Sequence, residues 1–188
     1  MLNLLNRVLE LSKAESGSTV LVEKPFSIRE LVGDVVDPFK PAARDKGLEL
    51  RWSLADDVRA VIVGDQTAIR QILGNLIGNA VKFTRTGSVS LTIGVAEISA
   101  DAVMLVFAVA DTGIGIDPDA LKRIFDEFTQ ATDDTVMRFG GTGLGLAITR
   151  RLLAVYGSTV HVESTPGEGA TFSLKLRLLL PRPPNQSV

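Results

Sequence analysis

Asn75, Asn79 and Lys82 stand at i, i+4 and i+7 in the stretch GNLIGNAVKFT, residues 74–84. At 100° per residue they line one side of a helix. Ile69, Ile72, Leu73, Leu76, Ile77 and Ala80 share the opposite arc, which must face a core. Amides are weak helix formers, and the flanking Gly74 and Gly78 cost about 1 kcal/mol each relative to alanine. A solvated face is usually built from Glu, Lys, Gln and Arg, which support the helix. Amides and glycines instead leave open space beside fixed donors and acceptors, as an oxygen-rich ligand requires. An amide oxygen suits Mg²⁺, a hard cation that takes oxygen ligands, and an ammonium one turn on suits phosphate. For Lys82 taken alone, an ordinary solvated position is the simpler reading.

Two glycine turns answer this row. DTGIGI (111–116) follows an apolar strand, and GGTGLGLA (140–147) opens a helix. Glycines before a helix let backbone N–H groups approach an anion at the positive end of the helix dipole. Either turn alone reads equally well as an ordinary tight turn. A P-loop is excluded because no Gly-Lys pair occurs in the chain. A dinucleotide fold is excluded because TDDTVMRF, before the second glycine run, is polar rather than strand-like, and the G-x-G-x-G spacing differs.

The elements that must position these groups are legible in the rest of the chain. Its 188 residues are 45% hydrophobic and 22% charged with a net charge of −2 and no cysteine. That composition fits one globular domain with a short appendage. It excludes a basic nucleic-acid surface, a disulfide framework and a thiolate metal site. No apolar run reaches membrane-spanning length, and the N-terminus lacks a signal-peptide pattern. LNLLNRVLELSKAESGS (2–18) reads as a helix in need of a partner, either its own domain or another chain. VLVEKPF is a strand. SIRELVGDVVDPFKPAARDKG is a helix capped by Ser27 and ended by Gly47, bent or broken at Pro38 and Pro41. LELRWSL and AVIVGD are short strands, and residues 66–83 form the helix of the polar row. SVSLTIGVAEI and AVMLVFAVADT pair antiparallel around SADA. Residues 117–139 are polar with scattered aromatics, a short helix and a loop. GLGLAITRRLLAVYG is a helix with Leu144, Ile148, Leu152 and Val155 at helical spacing. TVHVEST and GATFSLKLRLLL form a final strand pair across PGEG, and PRPPNQSV reads as a linker. The sum is an α/β (α+β) two-layer sandwich, a mostly antiparallel sheet covered on one face by helices.

NLIGNAVKFT, DTGIGI, IFDEF and GGTGLGLAI, in this order and spacing, resemble the N box, first glycine box, F box and second glycine box of histidine protein kinases. The resemblance covers roughly residues 20–180 and points to the ATP-binding catalytic domain that these kinases share with DNA gyrase B, Hsp90 and MutL. It implies a catalytic and ATP-binding domain over 18–180, with an ATP lid at about 117–139 and a C-terminal linker at 181–188. Residues 1–17 would be the end of a dimerisation and phosphotransfer helix.

By the same resemblance, Asn79 is the Mg²⁺ ligand, while Asn75 and Lys82 contact the phosphates. Phe83 lies against adenine, unless it is simply core. Asp111 accepts a hydrogen bond from the adenine amine, with Gly113, Gly115 and Ile116 around it. Thr171 helps fix adenine through water. Gly141, Thr142, Gly143, Leu144, Gly145 and Leu146 cradle the phosphate chain, Phe125 and Phe128 anchor the lid, and Arg138 reaches the terminal phosphate. Asn75, Lys82 and Arg138 form the catalytic set. The implied ligands are ATP and Mg²⁺. The implied partners are an acceptor-histidine dimerisation domain and a response-regulator receiver domain, in a cytoplasmic homodimer whose parent protein could carry a membrane anchor. No nucleic acid is implied.

Hydrolytic superfamily members and serine-directed kinases carry a carboxylate where this chain has Asn75. An amide takes no proton at neutral pH, so the residue favours positioning ATP over spending it on water. The single histidine, His161 in TVHVEST, lacks the helical context of a phosphoacceptor, so the chain alone is not expected to phosphorylate itself. Two other readings remain. One is a regulatory module that binds nucleotide without transfer. The other is an ATPase clamp, for which steady turnover by this chain is the discriminating observation.

Overall fold

The computed structural model describes residues 21–126 and 143–181. The helix expected over 1–17 and nearly all of the linker at 181–188 lie outside them. Strand β1 (Lys24–Ser27) leads into α1 (Ile28–Val36), whose start is fixed by Ser27 Oγ accepting from the Glu30 N–H at 3.2 Å. Such a cap satisfies one of the donors a helix start leaves open. The long helix expected here is broken: a 3-10 turn (Asp37–Phe39) around Pro38 separates α1 from α2 (Lys40–Asp45). Proline supplies no N–H and crowds the preceding turn, which explains the break.

Strands β2 (Glu49–Leu54) and β3 (Val61–Gly64) precede α3 (Gln66–Phe83). Then come β4 (Ser88–Ile98), β5 (Ala102–Asp111), the short α4 (Pro118–Leu121), α5 (Gly145–Val155), β6 (Val160–Thr165) and β7 (Gly169–Leu179). The seven strands form one sheet in the order β1-β3-β7-β5-β4-β2, with β6 paired to the first half of β7. All pairings are antiparallel except β2 with β4.

Period-two alternation decides which face is covered. On β5, Val103, Leu105, Phe107 and Val109 are buried, and on β7 so are Ala170, Phe172, Leu174, Leu176 and Leu178. They meet Ile28, Leu31, Val32 and Val36 of α1 and Ile69, Ile72, Leu73, Leu76 and Ile77 of α3 in one core. Each of the valine, leucine, isoleucine and phenylalanine side chains among them contributes about 1.5–3 kcal/mol by leaving water. The outer sheet face carries Lys175 and Arg177, both exposed, and also His161, exposed and 3.4 Å from Glu163. His161 is thus an ordinary outer-face strand residue.

Candidate nucleotide site

Helix α3 is held at both ends. At its start, Asp65 Oδ1 accepts from the Ala68 N–H at 3.0 Å. At its end, the buried Thr84 donates its hydroxyl to Ala80 O, and Lys46 Nζ donates to the carbonyls of Val81 (2.7 Å), Lys82 (2.9 Å) and Thr84 (3.3 Å). An ammonium there satisfies carbonyls that the helix leaves open and complements its negative pole. This role of Lys46 is not legible in the sequence, because its partners lie 35 or more residues away.

The expected apolar arc of α3 is buried, and Asn75, Asn79 and Lys82 are half-buried on the other side. The two glycines beside them differ. A Cβ at Gly74 would meet nothing within 4 Å, whereas one at Gly78 would lie 3.3 Å from the Phe39 ring. Gly78 therefore admits an aromatic from the 3-10 turn, which corrects its reading as space kept open. The Lys82 ammonium sits 4.5 Å from the centroid of the Phe83 ring, a cation–π distance. Desolvation draws its pKa below the ordinary lysine value. Phe83 is half-buried rather than part of the sealed core.

The first glycine turn packs on the end of this helix. Ile114 N–H donates to Phe83 O at 3.4 Å, and a Cβ at Gly113 would stand 2.7 Å from that same oxygen. Asp111, last residue of β5, accepts from the Gly113 N–H at 2.8 Å. Burial pushes its carboxyl pKa up, and the N–H groups of Gly113 and Ala170 pull it partly back. On the far side, Ile116 N–H donates to Ser164 Oγ, and Ser164 Oγ donates to Gly169 O, both at 2.8 Å. Gly115 adopts φ 66°, and a Cβ there would sit 2.1 Å from Thr165 O. Gly115→Ala is therefore expected to cost about 2–5 kcal/mol, since a left-handed backbone and an overfilled contact add. A urea denaturation midpoint close to that of the parent chain would show that the turn relaxes freely.

The second glycine run enters α5, which lies antiparallel to α3 and is joined to it at both ends. Asn75 Nδ2 donates to Gly145 O at 3.0 Å, next to the fully buried Leu144. At the other end of α5, Tyr156 OH donates to Asp65 O and accepts from the Asp65 N–H, both at 3.3 Å. Burial raises the Tyr156 hydroxyl pKa to about 12. Gly143 has φ 69° and Leu146 packs on the core. The stripe read on α5 is only part of its inner face. Leu144, Ile148 and Leu152 form a small separate cluster, the main core takes Leu153, and Val155 is exposed.

Lys82, Phe83, Asp111, Gly113, Gly115 and Ile116 thus gather where the end of α3 meets the turn after β5, while Asn75, two turns earlier on α3, meets the start of α5, with Asn79 between them on the helix. Thr171 does not join them. The register sets it opposite Ala110 and Glu163, on the sheet face away from Asp111, and Ala170 stands across from Asp111. Arg138, Gly141, Thr142 and Phe128 lie outside the described residues, and Phe125 packs against the core. Among the described residues no group of three His, Cys, Asp or Glu side chains is arranged to hold a metal ion, and no helix is long and apolar enough to cross a membrane.

Known proteins share this sequence pattern and this fold. The histidine kinase-, DNA gyrase B- and HSP90-like ATPase family matches residues 64–180. Sensor histidine kinase GacS of Pseudomonas protegens is 40% identical over 178 residues, 95% of this chain and 19% of that protein. Signal transduction histidine-protein kinase BarA of Escherichia coli is 37% identical over 178 residues, again 95% of this chain and 19% of that protein. The crystal structure of full-length ShkA in complex with AMPPNP superposes with a TM-score of 0.82 at 38% identity, covering 99% of this chain and 37% of that one. The chain spans less than a fifth of the length of GacS or BarA. It belongs to the histidine kinase-, DNA gyrase B- and HSP90-like ATPase family, as an ATP-binding catalytic domain of the kind found in sensor histidine kinases.

Proposed function

We propose that this domain holds Mg-ATP between α3 and the two glycine turns and presents the γ-phosphoryl group to a histidine on a dimerisation domain outside this chain. The observation that carries the reading is the bond from Asn75 to Gly145 O, which sets the first residue of the polar row against the start of α5. The nucleotide analogue in the ShkA complex supports it.

In this reading Asp111 accepts from the adenine amine, Phe83 borders the base, and Lys82 meets phosphate, with Arg138 and the amides of 141–146 adding to the cradle. Thr171 has no part in it. Magnesium fits the donor set. Among the described residues no cluster of three His, Cys, Asp or Glu side chains stands there, so the ion would be held by the Asn79 amide oxygen on a half-buried helix face, with substrate phosphates and water completing the oxygen ligands it takes. When bound, the ion neutralises charge on the transferring phosphoryl group. Asn75 offers no base for water, so ATP is positioned rather than hydrolysed. In the transfer, the bond between the γ-phosphorus and its bridging oxygen breaks, a phosphorus–nitrogen bond to the imidazole forms, and ADP leaves. The parent protein would be a cytoplasmically acting homodimer that passes the phosphoryl group to a receiver-domain aspartate.

The test supplies an acceptor-histidine helical hairpin in trans with Mg-ATP. Phosphohistidine is expected on the hairpin and none on this chain alone. Tight ATP binding without transfer would favour a regulatory module, and steady ATP turnover by this chain would favour an ATPase clamp.

A further inference from the structure

Two polar side chains are fully buried among the described residues, Thr84 and Thr149. Thr84 completes the end of α3. Thr149, one turn into α5, touches the site. Its Oγ1 donates to Gly145 O at 2.9 Å, and Asn75 Nδ2 lies 3.0 Å from that carbonyl and 3.4 Å from Thr149 Oγ1. A hydroxyl has one proton, and here it is spent on Gly145 O. Toward Asn75, both neighbours therefore offer only lone pairs. An amide N–H matches them, with Gly145 O as its nearer acceptor and Thr149 Oγ1 beside it. Turned over, the amide would set its oxygen against the Gly145 carbonyl and would gain a donor only if Thr149 gave up its bond to Gly145 O.

We propose that Thr149 is a positioning residue. With Gly145 O it locks the Asn75 amide with nitrogen toward α5, leaving Oδ1 as the atom available to a ligand, and it makes this position favour an amide over a carboxylate. An ionised carboxylate in place of the Asn75 amide would face the Gly145 carbonyl, and it would gain a donor only by drawing the Thr149 proton away from Gly145 O, a costly arrangement in a half-buried place. The proposal rests on the reading of Asn75 as a nucleotide contact, and it alters the kind of contact. With its nitrogen turned toward α5, the residue presents Oδ1 to its ligand and meets it as an acceptor, through a cation or water.

The experiment uses the full chain labelled with ¹⁵N. The side-chain amide pair of Asn75 is identified by its disappearance in Asn75→Asp. In Thr149→Val, which keeps the branched shape, this pair is expected to shift and to exchange faster with water, and in Thr149→Ser to return to its parent position. Mg-ATP affinity is expected to fall about fivefold in Thr149→Val and to stay within about twofold in Thr149→Ser, the scale of one hydrogen bond. Thr149→Ala removes the same hydroxyl and replaces the valine variant if that fails to fold. Amide signals unmoved by loss of the hydroxyl would overturn the proposal, as would signals that move while affinity stays unchanged. A parent chain that ignores Mg-ATP while the amide responds as expected would leave the lock supported and reject the nucleotide reading alone.

Discussion

Replacing Asn79 with alanine is expected to remove the magnesium-dependent part of ATP affinity while the domain stays folded. Asn79 occupies the centre of the polar row, one turn from Asn75 and three residues from Lys82, half-buried on α3. Under the proposed reading its amide oxygen is the protein's own contribution to the metal. A hydrogen bond or ligand contact to a charged partner contributes about 1.5–3 kcal/mol, so the loss should be about 10- to 100-fold. Folding should not suffer, since alanine is the best helix former and asparagine a weak one. Calorimetry in magnesium and again in chelator makes the check. The parent chain should bind more weakly once the metal is removed, and Asn79→Ala should bind equally weakly in both. An undiminished affinity in magnesium would take Asn79 out of the site.

That such a residue is identifiable without coordinates follows from local geometry. A row at i, i+4 and i+7 shares a face of any α-helix, whatever surrounds it, and both ends of α3 fall where the pattern puts them. The β4–β5 hairpin, the Ser27 cap and the β6–β7 pair are legible for the same reason, each being set within a few residues. Parity along a strand is less forgiving. Thr171 follows a glycine turn, and a shift of one residue moves a side chain to the other face of the sheet. Ala170, not Thr171, therefore shares the face of Asp111. Contacts between distant segments leave no local signal at all. Nothing around Lys46 announces that it will close the end of α3, nothing around Phe39 that it will fill the notch at Gly78, and nothing around Tyr156 that it will grip Asp65. Each becomes visible only when the helices are laid on the sheet.

These contacts also explain how a helix with a poor interior stays in place. The amides and glycines of α3 weaken it locally, but its apolar arc is sealed in the core and both ends are held, the start by its own cap Asp65 and by Tyr156, the close by Lys46. Propensity lost on the polar face is offset by tertiary packing, which is the usual source of helix stability in a folded domain. The polar face is thereby free to be chosen for a ligand.

The second large effect belongs to Asp111→Asn, and it separates binding from stability. The carboxylate lies at the end of β5, accepts the Gly113 N–H at 2.8 Å, and has its pKa raised mainly by burial. A carboxyl whose folded pKa lies above its unfolded one favours the native state only when protonated, so at neutral pH its ionisation works against folding. That penalty is complete above the folded pKa and disappears as pH falls to the ordinary aspartate range of about 4. The amide carries no such charge. Asp111→Asn should therefore be at least as stable as the parent in urea at pH 7, with any gain shrinking toward pH 4. Binding should move the other way. The carboxylate can accept from the exocyclic amine of adenine and repels the carbonyl oxygen of guanine, while an amide can turn its N–H toward either purine. ATP affinity is expected to drop about 10- to 100-fold, as for loss of a charge-assisted hydrogen bond, and the preference for ATP over GTP should largely vanish. Competition between the two nucleotides for the site, measured in both proteins, decides the matter. Equal binding of ATP and GTP by the parent chain would show that Asp111 does not read the base, and that its burial serves the turn at Gly113 alone.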